Sequence, residues 1–134
     1  MKPVLCAIAF ACLILGIIFV VLQKRGKMSD HRMDIQFVVQ FKVNGMGTPE
    51  NLAAGHIVEN RFGRILEEAR VGFADGTDIG SGSMNIFFYV SDPFRALEFV
   101  KKGLPEKYVV AYRNKEDRYV VLWPKNYDRE FDLK

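Results

Sequence analysis

The run Asp75-Gly76-Thr77-Asp78-Ile79-Gly80-Ser81-Gly82-Ser83 holds the densest set of groups able to bind something in this chain of 134 residues. Glycines leave backbone N–H groups open to an anion, while the hydroxyls and carboxylates beside them offer oxygens to a cation. With Asn85 just beyond, the candidate partner or ligand contacts are Asp75, Thr77, Asp78, Ser81, Ser83 and Asn85. The run is not a P-loop, because no Lys follows the glycines and the next segment reads as a strand where that motif needs a helix. It is not a calcium loop, because Asp75 and Asp78 lack the regular ligand spacing. A hairpin with a bulge is its structural reading, and contact with a ligand or partner its functional one.

Other chemistry is thin. His56 is the one histidine after His31, with Glu59 three residues on. A zinc site would need more ligands, and a general base would need a nucleophile to activate. Glu67, Glu68, Asp92 and Glu98 have helix-surface or capping explanations, so no carboxylate pair stands out for acid–base work. Cys6 and Cys12 both fall in an apolar stretch six residues apart, which leaves the rest of the chain without a thiolate site or a disulfide. The expectation is a non-enzymatic protein with no metal and no cofactor.

These residues need elements to hold them. From Asp34 to Val43 the odd positions Ile35, Phe37, Val39, Phe41 and Val43 are apolar, the period of a strand with one wet face. Asn44-Gly45-Met46-Gly47 breaks it. Thr48-Pro49 then supplies an N-cap and first-turn proline for a helix to about Arg70, whose Gly55 and Gly63 mark close approach to a strand. Met84 to Val90 is apolar or aromatic on both faces and is expected in the middle of its sheet. Asp92-Pro93 opens a second helix that closes at Lys101-Lys102-Gly103. Lys107–Arg113 and Arg118–Trp123 read as strands joined by a hairpin loop at Asn114-Lys115-Glu116-Asp117. The order predicts an α+β fold, a ferredoxin-like β-α-β-β-α-β arrangement with an added C-terminal strand.

Ahead of this domain, Pro3 to Leu22 is a run of 20 residues without a charge, about 30 Å as a helix. It predicts a transmembrane helix over 1–23, then a basic juxtamembrane linker over 24–33, the domain over 34–124 and a polar tail over 125–134. The rival readings are a signal peptide cut near Ala9-Phe10-Ala11 and a lipoprotein at Cys12. Either leaves a strongly apolar mature end. Ala7 and Ala11 form a small-xxx-small pair of the kind that lets two helices approach in a homodimer, but ordinary membrane-helix composition is the favoured explanation for them. The formal charge of +3 belongs to the anchor: from Met33 onward there are 14 Lys/Arg and 15 Asp/Glu, a net −1. Nucleic-acid binding, which Phe87, Tyr89, Tyr108, Tyr112, Tyr119 and Trp123 would otherwise suggest, loses its electrostatic support. Lys24, Arg25, Lys27 and Arg32 place the domain on the cytoplasmic side of an inner membrane by the positive-inside bias, although Met1-Lys2 before an apolar run is also how exported proteins begin.

The stretch Gly72–Trp123 resembles a group of small bacterial α+β domains that share Asp75-Gly76, Asp78-Ile79-Gly80-Ser81-Gly82, Met84-Asn85-Ile86-Phe87, Asp92-Pro93 and a strand ending near Leu122-Trp123-Pro124. In style these are similar to immunity and other partner-binding proteins. The resemblance implies a fold and supplies no chemistry, and the likeness to partner-binding proteins is an analogy of fold alone. The sequence therefore predicts a membrane-anchored protein-interaction domain, the alternative being a small-ligand or anion sensor that uses the 75–83 run.

Overall fold

The computed structural model describes residues 32–129, 131 and 133. The expected membrane helix over 1–23 and most of the basic linker lie outside the described residues. Among those described, no helix is long and apolar enough to cross a membrane. Arg32–Lys134 is one compact unit.

Strand β1 (Ile35–Lys42) keeps the predicted alternation, sending Phe37, Val39 and Phe41 to the core. Gly45 and Gly47, at φ +55° and +76°, turn the chain out of the strand, in a region of backbone space that glycine enters without penalty. Helix α1 (Pro49–Glu68) starts in a capping box. Thr48 Oγ1 accepts from the Asn51 N–H at 3.2 Å, and Asn51 Oδ1 accepts from the Thr48 N–H at 3.0 Å. Helix α2 (Pro93–Val100) is capped by Asp92 Oδ1, which accepts from Phe94 N–H and Arg95 N–H, and a single 3-10 turn, Lys101–Gly103, ends it.

The 71–83 run is mostly strand. β2 (Gly72–Gly80) pairs antiparallel with β3 (Ser83–Val90) through a register shift between Ala74 and Gly76 that leaves Asp75 as a bulge. Only Ser81 and Gly82, at φ +51° and +81°, form the turn. Two successive positive φ values suit the right-handed twist of the flanking strands. β4 (Val109–Arg113) begins two residues later than predicted, because the Tyr108 N–H is used to close a turn on Pro105 O. β5 (Tyr119–Trp123) follows the predicted hairpin, in which Asn114 Oδ1 accepts from the N–H groups of Glu116 and Arg118.

The sheet order is β2-β3-β1-β4-β5 with every neighbouring pair antiparallel. β3 lies inside the sheet, as its two-sided apolar pattern predicts. Both helices lie on one face, over Phe37, Val39, Met84, Ile86, Phe88, Val90 and Val110, with Phe62, Leu66, Ala96 and Val100 facing down from the helices. The fold is α+β.

The helix–sheet spacing depends on absent side chains. A Cβ at Gly63 would stand 3.0 Å from Ala74 Cβ, and one at Gly55 would stand 2.9 Å from Met84 Sδ. A Cβ at Gly72 would meet a backbone atom instead, at 2.6 Å from Tyr89 O, as well as Val90 Cγ1 at 2.7 Å. Backbone in a paired strand cannot yield as a thioether can. Gly72→Ala is therefore expected to cost about 2 kcal/mol or more. Gly55→Ala should change stability by less than about 1 kcal/mol, since its helix-propensity gain offsets the displacement of Met84. Urea unfolding of the chain from Arg32 onward checks both.

Candidate functional site

Pairing in β2 sends alternate residues to opposite faces, and the bulge at Asp75 keeps Thr77 and Ile79 on the helix side with Ala74. Thr77 Oγ1 accordingly donates to Glu59 Oε2 of α1 at 2.7 Å. His56 Nδ1 lies 3.2 Å from the same oxygen. The carboxylate stands between hydroxyl and imidazole and takes both. Thr77 is thus not activated by His56, and the trio ties α1 to β2.

The other predicted contacts lie elsewhere. Asp78, Ser83 and Asn85 belong to the face away from the helices, Asp75 is exposed in the bulge, and Ser81 is exposed in the turn. The structure brings Asp78 and Asn85 side by side across β2 and β3, while Thr77 points to the opposite face. The six residues do not converge on one centre.

What the far face does build is a polar row at one end of the central strands. Asn85 lies opposite Gln40 in the register, and Gln40 Nε2 donates to Asn85 Oδ1 at 2.8 Å. Ser83 lies opposite Lys42, whose Nζ donates to Ser83 Oγ at 3.1 Å. Gln40, Ser83 and Asn85 are all buried. Val38, two residues before Gln40 on the same face, is buried and apolar, and Gln36 two residues before it is polar, so Val38 separates two polar positions of β1. Gln40 and Asn85 were legible as polar residues in strands; their burial was not, because a period-two pattern assigns the polar face to water.

The aromatic residues separate by face. Tyr108 stacks on Phe41 with ring centroids 4.7 Å apart, and Tyr112 meets Phe94 at 5.8 Å, both on the helix side. Phe87, Tyr89 and Tyr119 lie on the far face, where the Tyr119 hydroxyl donates to Gln36 Oε1 and the ring contacts Phe131. Phe73 meets Tyr89 on that same far face, with ring centroids 5.8 Å apart. Residues 124–129 also pack against this unit: the Tyr127 N–H closes a turn on Pro124 O, and Asn126, Tyr127 and Arg129 wall a cleft with Gln40 and Lys42.

Among the described residues no group of three His, Cys, Asp or Glu side chains is placed to hold a metal. Compared with family models, curated proteins and solved structures, the chain matches none.

Burial pushes the phenols of Tyr108 and Tyr119 up from their ordinary value. For Tyr119, Asp117 and Tyr89 add to the rise and Arg113 opposes it. A raised native pKa means that the folded protein holds the phenolic proton more tightly than the unfolded chain. The associated stability is complete below about pH 10 and is lost as pH rises through the folded-state value. Urea midpoints should therefore fall between about pH 9 and pH 11, and Tyr108→Phe with Tyr119→Phe should flatten that fall.

Proposed function

We propose that this chain is a membrane-anchored, non-enzymatic interaction domain that takes a polypeptide strand from its partner along the free edge of β5. The order β2-β3-β1-β4-β5 is read here as the ferredoxin-like plan with β5 added outside β4, so the added strand replaces β4 as one edge of the sheet.

The observation that carries the proposal is the contrast between the two edges. An exposed edge strand is a template for pairing, and proteins guard such edges with bulges, charges, glycine or proline. β2 has these guards: the bulge and charge at Asp75, Asp78, and glycines at 72, 76 and 80. β5 is bulged at Leu122, between Val121 and Trp123, but lacks the other guards: Tyr119-Val120-Val121-Leu122-Trp123 contains no charge, glycine or proline, and among the described residues no strand pairs with its outer edge.

An apolar shelf lies beside that edge on the helix side. α2 reaches Tyr112 through Phe94, and Val120 is the register partner of Tyr112 on β5; farther along β5, Leu122 and Trp123 pack against the core. Phe94 is 60% exposed and Val120 37%. A partner strand would gain main-chain hydrogen bonds from β5 and bury its own side chains on this shelf, the division of affinity and specificity usual in strand addition. The near-neutral domain and the lack of a catalytic set accord with binding rather than turnover. The charge-free run at 3–22 and the basic residues after it would hold the domain at a bacterial inner membrane, with the cytoplasmic side favoured by the collar.

Crosslinking capture of the full-length protein from its own membranes tests the reading. A stoichiometric protein, or a second copy of the chain, is expected with the unaltered protein. Val120→Lys combined with Phe94→Asp should abolish capture at a stability cost below about 1 kcal/mol, because both positions are exposed. Undiminished capture by that variant would remove β5 from the interface.

A further inference from the structure

At the end of the sheet away from the entry of β1 lies a cleft of about 290 Å³, bounded by the last residues of β1, the turn into β4 and the 124–129 segment. We infer that this cleft is a binding site for a small organic anion, with a phosphate or carboxylate head and few other heavy atoms. The inference is independent of the β5 edge and concerns a different surface.

Three cations line the cleft: Lys42, Lys107 and Arg129. Lys42 spends one of its three N–H donors on Ser83. The Lys107 ammonium lies 5.8 Å and 5.9 Å from the ring centroids of Phe41 and Tyr108, an attraction that fixes its place while leaving its donors uncommitted. Glu106 and Asp128 also line the site, so the balance is three positive groups to two negative. Neither carboxylate forms an ion pair with these cations among the described residues. Five charged groups gathered around one concavity without neutralising each other are an arrangement that an anion completes.

The floor adds selectivity. Gln40, 1% exposed, lines the cleft, and its amide is held by Asn85. Val109 supplies the apolar part of the lining, and Tyr127 stands on the wall. A volume near the bottom of the range of roughly 300–1,000 Å³ for small-molecule pockets restricts the occupant to a compact molecule. A charged head among Lys42, Lys107 and Arg129, with a short body against Val109 and Tyr127, is the chemistry that matches.

The test is a titration of the full-length protein in detergent micelles with inorganic phosphate and, separately, with succinate, against sodium chloride at matched ionic strength. Backbone amide shifts are read by NMR. Saturable shifts confined to residues 40–42, 106–109 and 126–129 are expected, with affinity on the order of millimolar for such minimal probes. Saturation by phosphate alone assigns a phosphate head; saturation by succinate assigns a carboxylate head. Lys107→Gln with Arg129→Gln should weaken binding at least tenfold. Lys115→Gln with Arg118→Gln, which removes the same charge from the distant hairpin, should leave it unchanged. Shifts that fail to saturate, that chloride reproduces, or that both double variants weaken equally would overturn the site.

Discussion

The close approach of α1 to β2 and β3 is the constraint from which the rest of this domain follows. Gly63 sits against Ala74 and Gly55 against Met84, so the twenty-residue helix lies almost directly on the strand backbones. That contact places Phe62 and Leu66 in the core. It also puts Glu59 within reach of Thr77, which uses the one polar helix-facing side chain in the middle of β2 as a tie. With α1 over the β2–β3 side and α2 beside it reaching Tyr112, Leu122 and Trp123 of β5 still pack against the core, while Val120 is left exposed beside the exposed Phe94.

The two faces of the sheet obey different physics. The helix face is held by apolar burial, with Phe37, Phe88, Ile86 and Met84 fully covered; such residues contribute most of a small domain's stability. The far face carries the ordered polar pairs Gln40–Asn85 and Lys42–Ser83, each between directly opposed residues of β1 and β3. Opposed polar pairs add little net free energy but make any slip of register costly, because one residue of displacement would leave a buried amide without its partner. The same pairs fix the floor of the cleft.

Much of this architecture was legible in local sequence. The Thr48-Pro49 and Asp92-Pro93 starts, the alternation through β1, the two-sided β3 and the hairpin at 114–117 all carry strong short-range signals, and each element lies within about two residues of where those signals put it. Gly55 and Gly63 pointed to close helix–strand contact, which is what the structure has. The candidate binding residues were less well served. Reading 75–83 as one constellation ignored the pleat of β2, which sends Thr77 and Asp78 to opposite faces, and the bulge at Asp75 that sets which goes where. The cleft was not legible at all: it joins Lys42, Lys107 and Arg129, three unremarkable charges brought together by the fold of the chain after Trp123. The shelf at Phe94 and Val120 likewise depends on how far α2 extends over the sheet, which no local pattern encodes.

Amide hydrogen exchange of the full-length protein, compared between its native membranes and the purified detergent-solubilised state, tests the central claim about β5 most directly. Amides of residues 119–123 should be markedly slower to exchange in the native membranes, while those of β2 are unchanged, because only the edge free of charge, glycine and proline is occupied there. Equal exchange of 119–123 in both states, or protection that appears along β2 instead, would contradict it.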